Sequence, residues 1–305
     1  MTNPQNQRQS EGPPWKVAVL GPGGIGGLVG ALLARAGDDV TCVAPPTTAA
    51  HLDAHGLQLR SPRFGDFQVP VRAATKLDTP VDACFVAVKS TQLEEAVASV
   101  PASAVGDGLV VPFLNGIDHV AWLRRHYPPE HVVAATIRIE SIRVAPGEVE
   151  HASPFAAIDL AYGIPDRTRV EALAARLRQV GCDVKVRDDE AWVLWAKLAV
   201  LAPIALLTTW SAAPLGEART RHPDEGKALI HEADAAAHAN GVILDPSIAA
   251  AMMSGAPATM RSSMQRDAES GRPLELDAIA GPILHADVET PVTTRLVKDL
   301  QARGR

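Results

Sequence analysis

The sequence predicts an α/β protein in which an N-terminal, Rossmann-type doubly wound sheet is followed by an all-helical C-terminal domain. A β-rich run at Lys16–Leu20 leads into a glycine loop, a helical stretch and a second strand at Val40–Ala44, which together form the opening unit of a dinucleotide-binding sheet. After Asp188 no further strand–helix–strand unit follows, and long stretches rich in Ala and Leu begin. These two observations set the fold class and the order of its parts.

The individual elements follow from hydrophobic periodicity and from Gly and Pro breaks. A first helix is expected at Leu28–Ala36 and an amphipathic helix at Val170–Val180. Further strands are predicted at Ala83–Val88, Gly108–Phe113, Val132–Ile137 and Asp183–Arg187, with a hairpin formed by Thr136–Arg143 and Glu148–His151. The C-terminal helical stretches are expected at about 189–213, 223–240, 246–268, 275–287 and 291–303.

The length of 305 residues allows two domains, and a composition of 47% apolar and 21% charged residues excludes a mostly disordered chain. We expect a disordered tail at 1–14, a dinucleotide-binding domain at 15–187 and a helical substrate and catalytic domain at 188–305. The formal net charge of −6 predicts no general attraction to nucleic acid or anionic lipid. Three widely spaced cysteines predict neither a disulfide framework nor a metal site, and a cytoplasmic location fits best.

One apolar stretch, at 191–207, approaches the length needed to span a bilayer. Lys197 lies near its middle, where a charge is costly in lipid, and Pro203 predicts a kink. We therefore predict a buried helix and no association with a membrane.

The glycine loop from Gly21 to Gly26 matches the pattern G-x-G-x-x-G. Gly21 permits the tight turn, Gly23 lets backbone approach a pyrophosphate, and Gly26 allows the helix to pack close to the strand. Gly24 and Ile25 belong to the same loop, and the N-terminus of the helix that follows the loop favours phosphate charge. The alternative is a glycine-rich turn that binds no ligand, which the preceding strand and following helix argue against.

The residues after the second strand indicate which dinucleotide is bound. An acidic residue there would hold a ribose 2′-OH and select NAD, but the chain reads APPTT from Ala44 to Thr48. Thr47 and Thr48 are candidates for hydrogen bonds to a 2′-phosphate, and Lys89 is a candidate for supplying charge. The alternatives are a helix cap for the threonines and a solvated loop lysine for Lys89.

Polar residues among the C-terminal helices point to carbonyl reduction. Burial of Lys197 in its apolar stretch favours the neutral amine, so this lysine can act as a general acid near neutral pH, or it can pack its stem and extend its head to water. Ser263 is a candidate donor to a substrate carboxylate or carbonyl, and Glu275 a candidate to orient Lys197. A surface serine and a carboxylate favoured by a helix dipole are the alternatives.

Taken together, these pieces resemble the ketopantoate reductase family, also called 2-dehydropantoate 2-reductase, over about residues 16–300. No single piece is decisive, but their order and spacing are specific, including the interval of twelve from Ser263 to Glu275. The residues that carry the resemblance are Gly21–Gly26, Val88-Lys89, Leu114–Gly116, Pro146–His151, Trp195–Leu198, Leu215–Glu217, Ser262–Met264 and Glu275–Asp277.

The resemblance implies a Rossmann domain and a helical domain with the active site in the cleft between them, and NADPH as hydride donor. It implies that Lys197 donates the proton, that Glu275 positions this lysine, and that Asn115 lies beside the nicotinamide and the lysine. It further implies that Ser263 binds the substrate carboxylate and that Lys89 lies near the 2′-phosphate. The implied role is reduction of a 2-keto acid such as 2-dehydropantoate in pantothenate biosynthesis.

The chain departs from the family pattern at the substrate site. Two asparagines that bind the polar groups of the substrate in the family are replaced by Leu201 and Ala205. These two residues lie one helical turn apart and are expected to form an apolar wall instead. An Arg often found after the second strand is replaced by Pro45, which leaves the choice between NADP and NAD open.

These departures keep two other functions in view. One is a paralogue that reduces a different, more apolar carbonyl compound, and the other is an NADP(H)-binding sensor without catalysis. Retention of Lys197, Asn115, Ser263 and Glu275 argues against the sensor. The apolar face of the helical half suits either a homodimer or an intramolecular core.

Overall fold

The computed structural model describes residues 13–303, so nearly all of the tail predicted at 1–14 lies outside the described residues. The chain forms two compact units. The first runs to Leu114 and resumes at His119–Glu190, and the second comprises Asn115–Asp118 and the chain from Ala191 onward. The division into domains at 187/188 stays a proposal beside this observed partition.

The first unit contains a parallel sheet of five strands within the described residues, in the order β5-β2-β1-β6-β7. Leu20 pairs with Val43 on one side and Val86 on the other, so these parallel strands end at one edge. The order reverses at β1, which confirms the doubly wound sheet and defines the switch point where such sheets bind ligands. The elements of this unit are β1 (Lys16–Leu20), α1 (Gly24–Arg35), β2 (Asp39–Val43), α2 (Pro46–His55), β3 (Leu57–Arg60), β4 (Phe67–Val69), β5 (Arg72–Ala74), β6 (Ala83–Val86), α3 (Leu93–Val97), α4 (Ala102–Val105), β7 (Leu109–Pro112), α5 (Asp118–Leu123), β8 (Ala134–Arg138), β9 (Ser141–Ala145), β10 (Glu148–His151), β11 (Ala157–Ala161), α6 (Arg167–Gln179) and β12 (Asp183–Arg187).

Two smaller sheets complete the unit, in the orders β4-β3-β10-β9 and β12-β11-β8. The predicted hairpin is confirmed between β9 and β10, but its first strand begins at Ser141 and not at Thr136, because β8 pairs with β11 in another sheet. The chain turns between them at Glu140, whose N–H donates to the Ser153 hydroxyl at 3.0 Å. Helix α1 packs between the parallel sheet and the β3–β10 sheet, with Leu28, Leu32 and Leu33 buried in the core.

The second unit is helical. Its elements after the Asn115–Asp118 loop are α7 (Glu190–Ser211), α8 (Leu215–Arg221), α9 (Pro223–Ala239), α10 (Pro246–Gly255), α11 (Ser263–Glu269), α12 (Leu276–Leu284) and α13 (Pro291–Arg303). Helix α7 continues through Pro203 and is long and apolar enough to cross a bilayer, yet 72% of its most apolar window is buried inside the protein. It is therefore a core helix, as predicted.

The single helix predicted at 246–268 is wrong, because α10 and α11 are separated by a loop at 256–262. Pro257 lacks the N–H that an uninterrupted helix requires. Ser262 caps α11 instead, its side chain accepting a hydrogen bond from the Gln265 N–H. Helix α8 has no counterpart among the predicted elements.

Candidate functional site

The glycine loop turns tightly between β1 and α1. Gly21 has a φ of +84°, and the Gly23 N–H donates to the Gly21 carbonyl at 2.7 Å. A Cβ on Gly26 would collide with that same carbonyl and lie 2.9 Å from Val19 Cγ1. The turn and the close approach of helix to strand thus both require glycine, for the reasons predicted from the motif.

Helix α1 opens directly after the loop. Its first intrahelical bond is donated by the Gly27 N–H to the Gly23 carbonyl at 2.8 Å, so the N–H groups of Gly24, Ile25 and Gly26 precede the helical ladder. Such N–H groups and the helix dipole form an anion-binding end suited to a pyrophosphate.

A strand that the motif did not reveal borders this helix start. The Ser141 hydroxyl of β9 donates to the Gly24 carbonyl at 2.8 Å, and a Cβ on Gly24 would collide with the Ser141 carbonyl. Gly24 is therefore needed for the packing of β9 as well as for any ligand. Only a prediction of the β9–β10 sheet and its docking on α1 reveals this contact.

The two strands beside β1 carry the predicted selectivity residues. Pro45 is the N-cap of α2, so the alternative in which the threonines cap that helix is wrong. Thr47 lies exposed in the first turn of α2, after β2. Lys89 is half-buried and follows β6, on the other side of β1.

Asn115 is placed by the residue that follows it. Gly116 has a φ of +81°, and a Cβ there would collide with the Ala278 carbonyl in the first turn of α12. The missing side chain lets the loop lie against α12, while Ile117 packs on the C-terminal core. The N-G pair thus brings Asn115 to the start of α12, where Glu275 is located.

The Asn115 amide bridges two charged side chains. Its Oδ1 accepts a hydrogen bond from Lys197 Nζ at 3.2 Å, and its Nδ2 donates to Glu275 Oε2 at 3.1 Å. Glu275 is buried, with 5% exposure, and the other two are half-buried. The structure therefore brings together three of the predicted site residues from positions far apart in the chain.

Lys197 projects from the apolar helix α7. Trp195 nearby is buried in the core, and Trp192 and Trp210 pack partly buried against it. The Trp210 ring is fixed by its Nε1, which donates to Asp299 Oδ2 at 2.8 Å. These rings belong to the packing of α7.

Leu201 and Ala205 follow Lys197 at intervals of four residues, on the same side of α7. Leu201 is partly exposed, whereas Ala205 is only 1% exposed and belongs to the core. Of the two predicted wall residues, Leu201 alone has a side-chain surface of appreciable exposure.

Ser263 is the exposed first residue of α11. Its neighbour Ser262 is buried, and the hydroxyl of Thr208 on α7 lies 2.8 Å from the Ser262 hydroxyl. The start of α11 is thereby held on α7, the helix that carries Lys197. Sequence reasoning did not assign this anchoring role to Ser262, although an N-cap serine before a helix is a recognisable signal.

The fold and these two sets of residues define a class of protein. A doubly wound sheet with a glycine loop at its switch point, and a helical unit with a Lys–Asn–Glu cluster, are features of a dinucleotide-binding oxidoreductase. The family Ketopantoate reductase PanE/ApbA matches residues 17–162, and its C-terminal part matches residues 191–303. The chain belongs to the ketopantoate reductase family, whose role is in pantothenate biosynthesis.

Two relatives illustrate the range of the family. An "Uncharacterized oxidoreductase YkpB" of Bacillus subtilis is 27% identical and covers 94% of this chain and 98% of its own length. A 2-dehydropantoate 2-reductase of Mycobacterium tuberculosis is also 27% identical, with coverages of 94% and 97%.

Solved structures agree in fold. A PanE/ApbA family ketopantoate reductase from Ralstonia eutropha has a TM-score of 0.85 at 26% identity, covering 95% of this chain and 98% of that one. A ternary structure of D-mandelate dehydrogenase with NADH and anilino(oxo)acetate has the same TM-score at 21% identity, with the same coverages, and shares the fold.

Proposed function

We propose that this protein uses NADPH to reduce a 2-keto acid to the 2-hydroxy acid, with Lys197 as the proton donor. The observation that carries the proposal is the Lys197–Asn115–Glu275 cluster, in which one amide joins the ammonium to a buried carboxylate. Family membership supplies the reaction class, and the residue roles are our inference.

The glycine loop fits a nicotinamide dinucleotide. The tight turn at Gly21 and the N–H groups that open α1 suit a pyrophosphate, and the cofactor supplies hydride to the carbonyl carbon when it is bound. Thr47 is a proposed ligand of the 2′-phosphate at the end of β2. Lys89 lies across β1 from β2, so its proposed contact suits the pyrophosphate or nicotinamide ribose better.

The cluster residues handle the proton. An alkoxide develops on the substrate oxygen, and an ammonium stabilises it and then transfers a proton. Asn115 Oδ1 holds one N–H of Lys197, and Glu275 fixes the amide in the orientation that presents this oxygen. Ser263, at the exposed start of α11, is the proposed contact for the substrate carboxylate.

The first test is substitution of Lys197 by Met in a purified enzyme assayed for NADPH oxidation. We expect kcat to fall by at least about 10²-fold, the typical contribution of a positioned acid, while the Kd for NADPH changes little. Lys185→Met, which removes an exposed lysine on β12, is the matched control. Activity retained in Lys197→Met would exclude this lysine as the donor.

A second candidate function is reduction of a more apolar 2-keto acid, and Leu201 favours it. This residue offers a partly exposed apolar side chain one turn beyond Lys197. A ligand that is an aromatic oxo-acid derivative occurs in the D-mandelate dehydrogenase structure, which has the same fold. We infer that branched or aromatic tails suit this wall better than the hydroxyl-bearing tail of ketopantoate.

A substrate panel with Leu201→Asn tests this specificity. We expect the wild type to prefer branched or aromatic 2-keto acids over ketopantoate, and Leu201→Asn to move the ratio of kcat/KM towards ketopantoate by about tenfold, within the range of one pocket contact. Leu201→Met is the matched apolar control, and Ala205 is left unchanged because a larger residue would overpack the core. A wild type that prefers ketopantoate strongly over all others would overturn the altered specificity.

We also propose that the enzyme is cytoplasmic. All three cysteines are buried free thiols, and burial raises the pKa of each to about 12. Free thiols are typical of proteins in a reducing compartment such as the cytoplasm.

A further inference from the structure

The Leu215-Gly216-Glu217 segment carries part of the family resemblance, yet none of its residues belongs to the proposed catalytic cluster. It begins helix α8, and its neighbours in space are the residues of the loop at 256–262. That loop ends at Ser262, directly before the proposed substrate contact Ser263. We infer that Gly216 and Arg219 are positioning residues that set the place of Ser263 and hence the affinity for the substrate carboxylate.

The first contact is made by backbone at the start of α8. The Leu215 N–H donates to the Met260 carbonyl and the Gly216 N–H donates to the Ala258 carbonyl, each at 2.9 Å. These two N–H groups belong to the first turn of α8, where a helix has no internal acceptors for them. The loop thus satisfies the start of α8, and α8 in turn holds the middle of the loop.

Gly216 permits this contact because it has no side chain. A Cβ at position 216 would lie 2.5 Å from the Cβ and 2.8 Å from the Cα of Ala258. The second distance is to backbone, so a larger residue forces the loop itself to move. Only three residues connect Ala258 to Ser262, so we expect a displacement of the loop at Ala258 to move Ser262 as well.

Arg219 binds the end of α10, where the loop at 256–262 begins. Its Nη1 donates to the carbonyls of Met253 at 2.8 Å and Ser254 at 2.6 Å, at the end of α10. A third acceptor, the Ala256 carbonyl, lies at 3.4 Å. One guanidinium therefore satisfies carbonyls that the helix terminus leaves without internal donors.

The far end of the loop is fixed on α7 by the hydroxyls of Ser262 and Thr208, 2.8 Å apart. The loop is thus attached at α8, at the end of α10 and at α7. By contrast, the Glu217 side chain of the same segment is exposed and forms an ion pair with Arg221 at 2.5 Å. The positioning role therefore falls on Gly216 and Arg219 and leaves Glu217 as a surface residue.

The test is a kinetic comparison of Gly216→Ala with Gly255→Ala, because a Cβ on Gly255 would meet no atom of residues 13–303 within 4 Å. We expect Gly216→Ala to raise the KM for the keto acid about tenfold, the size of one lost polar contact, with kcat within about threefold of wild type and the Kd for NADPH unchanged. Gly255→Ala is expected to match wild type in all three quantities.

Two further variants keep the test decisive if Gly216→Ala folds poorly. Arg219→Met removes the bonds to the end of α10 without adding a clash, and we expect it to raise KM in the same way. Adding Ala258→Gly to Gly216→Ala removes the closest contact and is expected to recover part of the lost affinity. An unchanged KM in the folded variants, or an equal loss of NADPH binding, would overturn the inference.

This inference rests on the proposed function, and the two fail in different ways. If none of the 2-keto acids tested supports NADPH oxidation by the wild type, the proposed function fails. If the wild type is active and Lys197→Met is not, but Gly216→Ala and Arg219→Met keep the wild-type KM, only the positioning role fails.

Discussion

At the scale of single residues, the orientation of the Asn115 amide explains how Lys197 and Glu275 are connected. With its oxygen towards Lys197 and its NH₂ towards Glu275, the amide accepts from the ammonium and donates to the carboxylate. The reversed amide would face the ammonium with a donor and the carboxylate with an acceptor. The two charged neighbours therefore fix the amide, and the amide fixes the lysine head.

Asn115→Asp tests this bridge with almost no change of shape. The new carboxylate still accepts from Lys197 but cannot donate to Glu275, and the two carboxylates repel each other. We expect kcat to fall by about 10²-fold, the lower range for misplacing a general acid.

The companion experiment measures kcat of the double variant Asn115→Asp with Glu275→Gln, in which the donor and the acceptor of this hydrogen bond are exchanged. The glutamine amide can donate to the new aspartate, so part of the lost kcat is expected to return. If Asn115→Asp alone keeps wild-type kcat, the bond from Asn115 to Glu275 has no part in the reaction.

The family resemblance predicted which three residues belong to this cluster, but it did not predict the hydrogen bonds that connect them. The resemblance implied that Glu275 positions Lys197 and that Asn115 lies beside this lysine, and the structure adds a hydrogen bond from Asn115 to Glu275. Local sequence cannot reveal this, because the three residues come from a loop, a long helix and a helix start that only tertiary packing brings together. The low exposure of Ala205 likewise results from tertiary packing, which a spacing of four residues along a helix does not predict.

At the scale of elements, the start of α13 shows how a helix end is stabilised from outside its own sequence. Buried Glu232 of α9 accepts from the Val292 N–H at 2.8 Å and from the Thr293 N–H at 2.7 Å. A carboxylate at this position satisfies two N–H groups and also favours the positive end of the helix dipole.

Glu232→Gln should therefore destabilise the protein. One carboxylate oxygen becomes an NH₂ that faces a backbone donor, so we expect a loss of about 1–3 kcal/mol in the free energy of unfolding, measured in urea. Asp224→Asn is the control on the same helix, because Asp224 is exposed and its ion pair with Lys227 is 4.0 Å long. Equal effects of the two substitutions would contradict the role of Glu232 at the start of α13.

Elements with strong local signals were predicted well, and elements defined by partners were not. The strands β1 and β12 have the predicted bounds, because apolar runs and glycine breaks define them locally. Pro257 and Ser262 signal the break between α10 and α11, but the Ala-rich composition on both sides predicts one continuous helix. The hairpin of β9 and β10 agrees with the prediction, but the predicted first strand extends too far back, because Thr136 lies in β8, which pairs in a different sheet, and periodicity does not encode this pairing.

At the scale of the whole molecule, we expect the response of stability to pH to depend in part on a buried histidine. His151 of β10 is 2% exposed, and its Nδ1 and Nε2 lie 2.8 Å and 3.0 Å from the hydroxyls of Ser61 and Ser153. Burial, together with the nearby Arg63 charge, lowers the pKa of His151 below its ordinary value of 6.5, although a hydrogen bond to the Phe155 carbonyl opposes this.

A lowered pKa in the folded state means that the unfolded chain binds the proton more readily. The contribution of neutral His151 to stability is therefore complete above pH 6.5 and is lost as the pH falls through and below that value. We expect His151→Gln to flatten the dependence of the free energy of unfolding on pH between about 5 and 7, where an ordinary histidine titrates. Urea titrations at several pH values measure this, and equal slopes for variant and wild type would assign the pH dependence to other groups.

The membership of Asn115–Asp118 in the helical unit has a consequence for inheritance. A gene fusion or chimera that exchanges only the portion after Glu190 imports Lys197 and Glu275 but keeps whatever the host has at position 115. The residue at position 115, between Lys197 and Glu275, then comes from the host protein and not from the donor. We therefore expect a chimera joined after Glu190 to keep the Lys197–Asn115–Glu275 cluster only when the host also has the N-G pair at positions 115 and 116.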